Sequence, residues 1–439
     1  MSTNVDELIE GILSKSGSKS TTHHTTTAST VHHSAPPFDD SVIQNVLWFR
    51  LFIEILIRMN DTEEAKDDML RFWRNEINEE ASELAVLDEF DRTFEPSRAI
   101  WWFTRECPLY RIIGKASHSK NPADVYAIRF IIKYIYLQLQ EEYQKCFGGM
   151  PHHRFIVYRG VGMKREDIDI MKTKIGSLYT GKGLLSASAR LDNARYFIRS
   201  ISNRSTMIPV LFEIETNAKQ TALPYAEICK LTDYPQESEV LFMFGTIFQI
   251  DAVHYNENSK MYIIKLSLCE EDDPRLKDMV DYIKYEIKDT ADLVTLADLF
   301  IKMGEYDLSK EYYNKYQEQL SVNDPNMKRV WQGLSNLADV EGNYYISLND
   351  YKRAHQCFNE QLKLCQNLPS RHPQFGKCYA NIASLCEIQG EKRLALENYE
   401  KAHEIYVQSL PAYHPDTTKV ELSIENLSPR KSCNASETR

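Results

Sequence analysis

The sequence predicts an α+β domain followed by an all-α solenoid of helical repeats. The spacing of the apolar residues changes from helical to strand-like near residue 150 and returns to helical near residue 275. In addition, the hexapeptide at Leu368–Pro373 recurs in altered form at Leu410–Pro415, a shift of 42 residues that is typical of a repeat array. At 439 residues, the chain is long enough for several domains with substantial cores.

Composition and charge exclude several classes of protein. A hydrophobic content of 43% and a charged content of 26% are typical of globular proteins. The net charge of −11 argues against nucleic acid or an anionic membrane as a partner. Because the chain has neither a signal-type N-terminus nor an apolar run of bilayer length, we expect a cytoplasmic protein. Its nine Cys are scattered without a C-x-x-C pair, so neither a zinc site nor a disulfide framework is indicated.

Both ends of the chain are predicted to be polar tails. Residues 1–40 are rich in Ser, Thr and His and have too few large apolar side chains to offset the entropy of ordering, so they are expected to be disordered. Four histidines of this segment could bind a metal, although a polar tail is the simpler interpretation: His23, His24, His32 and His33. Residues 428–439 form the second polar tail.

The α+β domain is predicted to span residues 41–272 and to begin with a helical part at 41–150. Its first helix follows Ser41, a possible N-cap, and further helices are expected around 66–80, 97–115 and 121–146. Trp101 and the two residues after it are expected in the core or against the next domain. Glycines and a proline at 148–151 then end the last helix.

Residues 151–272 are predicted to be the β-rich core. Segments with alternating or continuous apolar residues begin at Phe155, Ser177, Met207, Glu239 and Met261. Short helices are expected at 164–173 and 191–200. This pattern favours a mixed, mainly antiparallel β sandwich against which the preceding helices pack.

Residues 275–427 carry small and aromatic residues at matching positions of a repeat. These are Gly390, Ala395, Tyr399 and Ala402 in the last unit, Ala354 and Phe358 in the unit before, and Ser309 and Tyr313 in the first. The pattern resembles three tetratricopeptide repeats, lengthened as in kinesin light chains. This resemblance implies a solenoid that binds a protein or peptide or docks on the preceding domain; an unrelated helical bundle is the alternative.

Two segments of the β-rich core place polar groups at strand ends. Arg159 follows an apolar run and precedes Gly160, so its guanidinium can bind a diphosphate while the bare backbone lets a ligand approach. Ser186 and Ser188 flank Ala187, and strand alternation places both hydroxyls on one face. Considered alone, a surface ion pair and edge-strand serines explain these residues as well.

The pair Glu237 and Glu239 gives the sharper signal. The pair follows the turn at Tyr234 and Pro235 and lies at a strand entry, so two-residue spacing is expected to project both carboxylates the same way. One carboxylate near a ribose can stabilise an oxocarbenium-like transition state. A second can hold an incoming guanidinium and help to remove its proton. A solvated acidic turn is the alternative.

Together and in this order, the three segments resemble the Arg–Ser–Glu-x-Glu signature of arginine-specific mono-ADP-ribosyltransferases. The resemblance covers about residues 41–270 and implies NAD as a substrate, an arginine-bearing protein as acceptor and no metal. It implies that Arg159 and Gly160 bind NAD, Ser186 orients the catalytic Glu239, and Glu237 selects arginine. It also implies that Tyr234 borders the acceptor-recognising turn and that Phe197, with Tyr196 as the alternative, stacks on nicotinamide. Two rival hypotheses are an NAD glycohydrolase and an inactive scaffold that acts through the repeats.

Overall fold

The structure, a computed structural model, describes residues 41–60, 62–77, 81–119, 121–147, 154–181, 183–201, 207–217, 223–270, 273–277, 281, 287, 291–321 and 323–428. By their contacts these residues form two units, the first ending at Ala291 and the second beginning at Asp292. The predicted tails lie outside the described residues, apart from Ser428. Among the described helices, none has the length and apolar character of a bilayer span.

The first unit begins with a helical part, as predicted. Its helices are α1 (Ser41–Arg58), α2 (Glu63–Glu76), α3 (Ala81–Thr93), α4 (Ala99–Thr104), α5 (Pro108–His118), α6 (Pro122–Ala127) and α7 (Arg129–Phe147). The sequence did not predict α3, and the helix expected at 97–115 is divided. Cys107 is extended, with φ −144° and ψ 167°, because a residue before proline avoids the helical region and Pro108 suits the first position of a new helix.

Aromatic rings form the centre of the helical part. Trp73 and Trp102 are fully buried, and Phe90 lies between them with ring centroids 5.3 Å and 5.1 Å away in edge-on contacts. The prediction that Trp102 and Phe103 belong to the core is confirmed. The neighbouring Trp101 is only partly buried and has a different contact, described below.

The β-rich part is a mixed sheet of eight strands. They are β1 (Arg154–Met163), β2 (Leu178–Thr180), β3 (Leu185–Ser188), β4 (Ile208–Asn217), β5 (Tyr225–Glu227), β6 (Glu239–Phe242), β7 (Ile247–Asn256) and β8 (Met261–Leu268). Their order is β2-β7-β8-β4-β1-β3-β6-β5, and β4 with β8 is the parallel pair among antiparallel ones. This confirms the predicted mixed, mainly antiparallel architecture.

The sheet folds over a single core. In the strand order, four strands separate β6 from β7, which in a flat sheet would place them roughly 24 Å apart. Yet the rings of Phe242 in β6 and Phe248 in β7 are 5.5 Å apart, and both belong to one buried cluster with Val157, Phe212 and Ile264. The predicted sandwich is therefore one continuous, strongly bent sheet.

Two helices, α8 (Arg165–Thr173) and α9 (Leu191–Ile201), follow strands as predicted. Helix α9 packs on β1 through Ala194 and Ile198, which form a small buried cluster with Leu211. The approach is so close that a Cβ on Gly160 would lie 2.2 Å from the carbonyl oxygen of Ala194. Glycine at position 160 therefore lets α9 reach the sheet.

The first unit extends beyond the boundary that the sequence predicted near residues 272–275. Arg275 donates to the carbonyl oxygen of Gly176 at 3.0 Å and to Oε1 of Gln249 at 2.9 Å. The backbone of Ala291 bonds to the carbonyl oxygen of Arg58 at 3.3 Å. The change of period near Pro274 marks the end of the strand pattern, whereas Arg275 and Ala291, among the described residues after it, still contact the first unit.

The second unit is all-helical. Its helices are α10 (Leu293–Met303), α11 (Tyr306–Gln319), α12 (Met327–Ser347), α13 (Tyr351–Cys365), α14 (Pro373–Ile388), α15 (Lys392–Ser409) and α16 (Pro415–Leu427). The first six form three successive helix pairs with strong contacts inside each pair. The small and aromatic residues of the predicted repeat are buried where helices meet: Ser309, Tyr313, Ala354, Phe358, Ala395, Tyr399 and Ala402.

Close helix contacts in this unit depend on glycines, which have no side chain. A Cβ on Gly333 would lie 2.3 Å from the ring of Tyr313, and one on Gly342 would lie 2.4 Å from the ring of Phe358. Each aromatic ring therefore occupies the space above a glycine of α12. This agrees with the expectation that small residues let aromatic side chains fill the gaps between helices.

Candidate active site

Three neighbouring strands bring the predicted polar residues together. Arg159 lies in β1, Ser186 in β3 and Glu239 at the first position of β6, and β3 pairs with both other strands. The guanidinium Nη1 of Arg159 donates to the carbonyl oxygen of Ser186 at 2.6 Å. The three segments, far apart in sequence, thus meet at one place on the sheet.

The carboxylate of Glu239 is held by a hydroxyl group. Burial raises the pKa of Glu239, while the hydrogen bond from the Ser186 side chain opposes this shift. The negative charge of Glu237 raises the pKa further, and the positive charge of Arg159 lowers it. A poorly solvated carboxylate oriented in this way interacts strongly with positive charge that develops nearby.

The backbone between the two carboxylates is not a continuous strand. Glu237 ends a short 3₁₀ helix at Pro235–Glu237, and Ser238 is left-handed with φ 44° and ψ 49° before β6 begins at Glu239. The prediction that strand alternation projects both carboxylates the same way is therefore wrong, because alternation requires extended backbone. The carboxylates are nevertheless close enough for their charges to interact, and burial raises the pKa of Glu237 as well.

Ser188 has a structural contact that the sequence did not reveal. Ala187 packs into the core, so Ser188 lies on the opposite face, as predicted. The Ser188 hydroxyl donates to the carbonyl oxygen of Glu237 at 2.6 Å and accepts from the backbone of Arg190 at 3.1 Å. Asn193 of α9 also donates to the Glu237 carbonyl, at 2.7 Å. The turn before β6 is thus fixed from β3 and α9.

The helical part contacts the other end of the same turn. The indole Nε1 of Trp101 donates to Oδ1 of Asp233 at 3.0 Å, and Glu106 forms a hydrogen bond with the Tyr234 side chain. Desolvation raises the pKa of Tyr234, and the charges of Glu106, Asp233 and Glu237 raise it further. Trp101 was expected in the core or against the next domain, and its bond to Asp233 in the β-rich part agrees with the second of these. No pattern in the sequence indicated Glu106, because its partner is more than a hundred residues away along the chain.

Two exposed aromatic side chains lie on α9. Tyr196 is 72% exposed and Phe197 49% exposed, and their ring centroids are 6.3 Å apart. Either ring is accessible to a ligand, so nicotinamide stacking on Phe197 stays a prediction. The structure gives Gly160 a packing role against Ala194, and its contact with NAD also stays a prediction. Among the described residues, no group of three or more His, Cys, Asp or Glu side chains is arranged to hold a metal ion.

Comparisons with known proteins find a repeat family in the second unit and solved structures that match about half of the chain. A family model described as a tetratricopeptide repeat matches residues 293–318, which cover α10 and most of α11. No curated protein matches the chain.

The solved structures that match the chain include three from bacteria. The ADP-ribosyltransferase HopU1 of Pseudomonas syringae pv. Tomato DC3000 is 17% identical, with 48% of this chain and 100% of that chain covered and a TM-score of 0.32. The Vis toxin, an ADP-ribosyltransferase from Vibrio splendidus, is 18% identical, with 50% and 91% covered and a TM-score of 0.30. The type III effector XopAI from Xanthomonas axonopodis pv. citri is 18% identical, with 52% and 98% covered and a TM-score of 0.33. At such low identities and TM-scores, function has to be argued from the site itself.

Proposed function

We propose that this protein transfers ADP-ribose from NAD to arginine side chains of target proteins and releases nicotinamide. The observation that carries the proposal is the Glu239 carboxylate, which the Ser186 side chain holds beside the charges of Arg159 and Glu237. A guanidinium, a hydroxyl and two carboxylates on neighbouring strands suit chemistry on an anionic substrate that forms a cation during reaction.

Each residue has a role in this chemistry. Arg159 binds the diphosphate of NAD. As the bond between ribose and nicotinamide breaks, its electron pair moves to the ring nitrogen of nicotinamide, and positive charge develops on the ribose. Glu239 stabilises that charge. Glu237 pairs with the acceptor guanidinium and takes its proton as the new carbon–nitrogen bond forms, and the raised pKa makes this carboxylate a better base.

Glu239→Gln tests the catalytic assignment because it removes the charge and keeps the shape. We expect both nicotinamide release and arginine labelling to fall by about a hundredfold or more, as losses of single charge stabilisers commonly do. Nicotinamide release and mass-spectrometric detection of ADP-ribose on an arginine analogue measure the two activities. Glu257→Gln, in the exposed turn after β7, is the matched control and should keep full activity. Near-normal turnover of Glu239→Gln would contradict the assignment.

Glu237→Gln separates transfer from hydrolysis. The neutral amide can neither form an ion pair with a guanidinium nor accept its proton, so arginine labelling should fall steeply. Nicotinamide release should persist, with water as the acceptor of ADP-ribose. If the unaltered protein releases nicotinamide but labels no arginine analogue or protein, the glycohydrolase hypothesis holds instead. If it does neither, the scaffold hypothesis holds.

We also propose that the second unit binds the target protein or a peptide of another partner. Its helix pairs and the match of a repeat model over 293–318 support this role. The test compares proteins labelled in a cell extract by the full chain and by a chain ending at Ala291. Target choice should change while labelling of a free arginine analogue does not.

A further inference from the structure

We propose that Asn193 is a positioning residue that fixes Glu237 for the acceptor and thereby directs ADP-ribose to arginine instead of water. This inference rests on the proposed function. No sequence motif pointed to Asn193, which lies in the first turn of α9. Its contacts, however, are concentrated on the segment that carries Glu237.

The side-chain amide of Asn193 contacts three hydrogen-bond acceptors. Its Nδ2 lies 2.7 Å from the carbonyl oxygen of Glu237, 3.3 Å from that of Gln236 and 3.1 Å from the hydroxyl oxygen of Ser188. The opposite amide orientation would place Oδ1 against two carbonyl oxygens, so the surroundings select the NH₂ group for this side. Ser188 can accept from Asn193 because its own hydrogen is donated to the Glu237 carbonyl.

The turn that carries Glu237 needs support from outside. Its 3₁₀ helix has only three residues and is closed by backbone bonds of 3.1 Å from Glu237 to Tyr234 and 3.3 Å from Ser238 to Pro235. The next residue, Ser238, adopts a left-handed conformation that residues with a Cβ enter at an energetic cost. Hydrogen bonds from neighbouring elements therefore decide where this turn lies.

Asn193 belongs to a helix that packs closely against the sheet. The adjacent residue, Ala194, is buried against Gly160 of β1, and Ile198 packs one turn further along the helix. The amide consequently holds the turn relative to the same helix that carries Phe197. Trp101 holds the turn at Asp233, four residues before Glu237, so it constrains the Glu237 carboxylate less directly.

Glu239 is secured by different contacts. Its side chain forms a hydrogen bond with Ser186, and its carbonyl oxygen accepts a hydrogen bond from the backbone N–H of Ile228 at 2.9 Å. As the first residue of β6, Glu239 also pairs with β3. None of these bonds includes Asn193. Loss of the Asn193 amide should therefore displace Glu237 and leave the ribose chemistry at Glu239 largely intact.

The test measures nicotinamide release and labelling of an arginine analogue in parallel for Asn193→Ala and Asn193→Asp. For Asn193→Ala we expect labelling to fall about threefold to tenfold, as loss of one or two hydrogen bonds predicts, with a raised KM for the analogue. Nicotinamide release and the KM for NAD should stay within about twofold. Asn193→Asp should lose more labelling, because a carboxylate would face the two carbonyl oxygens. Arg195→Ala, exposed on the same helix, is the control and should leave both activities unchanged.

The outcomes separate this inference from the proposed function. If the unaltered protein labels arginine and Asn193→Ala keeps its ratio of labelling to nicotinamide release, the inference fails and the function stands. A parallel loss of both activities in Asn193→Ala and Asn193→Asp also overturns it, since the residue would then only support the fold. If Asn193→Ala does not fold, the nearly isosteric Asn193→Asp decides by the same ratio. If the unaltered protein has neither activity, the proposed function itself fails.

Discussion

At the scale of single residues, the ionisation of Glu239 should control how activity depends on pH. Burial raises the pKa of this carboxyl, and the charged form is the one that stabilises the ribose cation. Activity should therefore decline on the acid side at a higher pH than the pKa of an ordinary glutamate. The measurement is kcat/KM for nicotinamide release as a function of pH. Its decline on the acid side reports the pKa of the Glu239 carboxyl in the free enzyme.

Ser186→Ala should move that acid limb. The Ser186 hydrogen bond stabilises the charged form and lowers the pKa of Glu239, so its removal should raise this pKa and shift the limb to higher pH. The maximal rate should also fall, because the carboxylate loses its orienting partner. Ser177→Ala, outside the site and before β2, should leave the limb in place. An unshifted limb in Ser186→Ala would show that another group limits the rate at low pH.

The residues that the sequence predicted and those it missed differ in how they reach the site. Arg159, Ser186 and Glu239 stand next to apolar strand segments, where a polar group is conspicuous, and adjacent strands bring them together. Asn193 and Trp101 act through side-chain hydrogen bonds to segments distant in sequence, and nothing in their local sequence marks such bonds. Only the folded chain reveals them.

At the scale of elements, the fit of α9 against β1 should govern both stability and activity. In Gly160→Ala the new Cβ would meet the backbone oxygen of Ala194, which cannot rotate away, so the helix must move. We expect a loss of about 1–3 kcal/mol in the free energy of unfolding, as overpacking commonly causes. Denaturant titration measures it. Arginine labelling should fall as well, because α9 carries Asn193.

Gly181→Ala is the matched control for this change. A Cβ at that position would meet nothing closer than the carbonyl oxygen of Gly183 at 3.8 Å, an ordinary contact. It should therefore leave the free energy of unfolding nearly unchanged. Equal stability of Gly160→Ala and Gly181→Ala would contradict the packing role of Gly160.

The same scale shows which elements a sequence can predict. Strand β8 and helix α9 have clear apolar periodicity and match their predicted positions within one or two residues. Strand β5, three residues long, was missed because so short a strand has no period, and its place is set by pairing with β6. Tertiary contacts decide such elements.

At the scale of the whole molecule, the boundary at Ala291 predicts which shortened chains are stable. A chain ending at Ala291 keeps the bonds of Arg275 and the backbone bond between Ala291 and Arg58. It should unfold cooperatively and release nicotinamide from NAD. A chain ending at Pro274 loses these bonds and should melt at a lower temperature. Equal melting temperatures of the two chains would place the boundary back at the change of sequence period.

Ser238 has a consequence for how this site can vary during evolution. It is the single residue between the two carboxylates, and its left-handed backbone joins the 3₁₀ helix to β6. Descendants of this sequence should retain residues that enter that region readily, such as Gly, Asn, Asp or Ser, and should exclude Val and Ile. Insertions at this point should be rarer than substitutions of Ser238. One added residue would move the Glu237 carbonyl away from its two donors, Ser188 and Asn193. The spacing of the two carboxylates is therefore expected to be inherited more strictly than the residues around them.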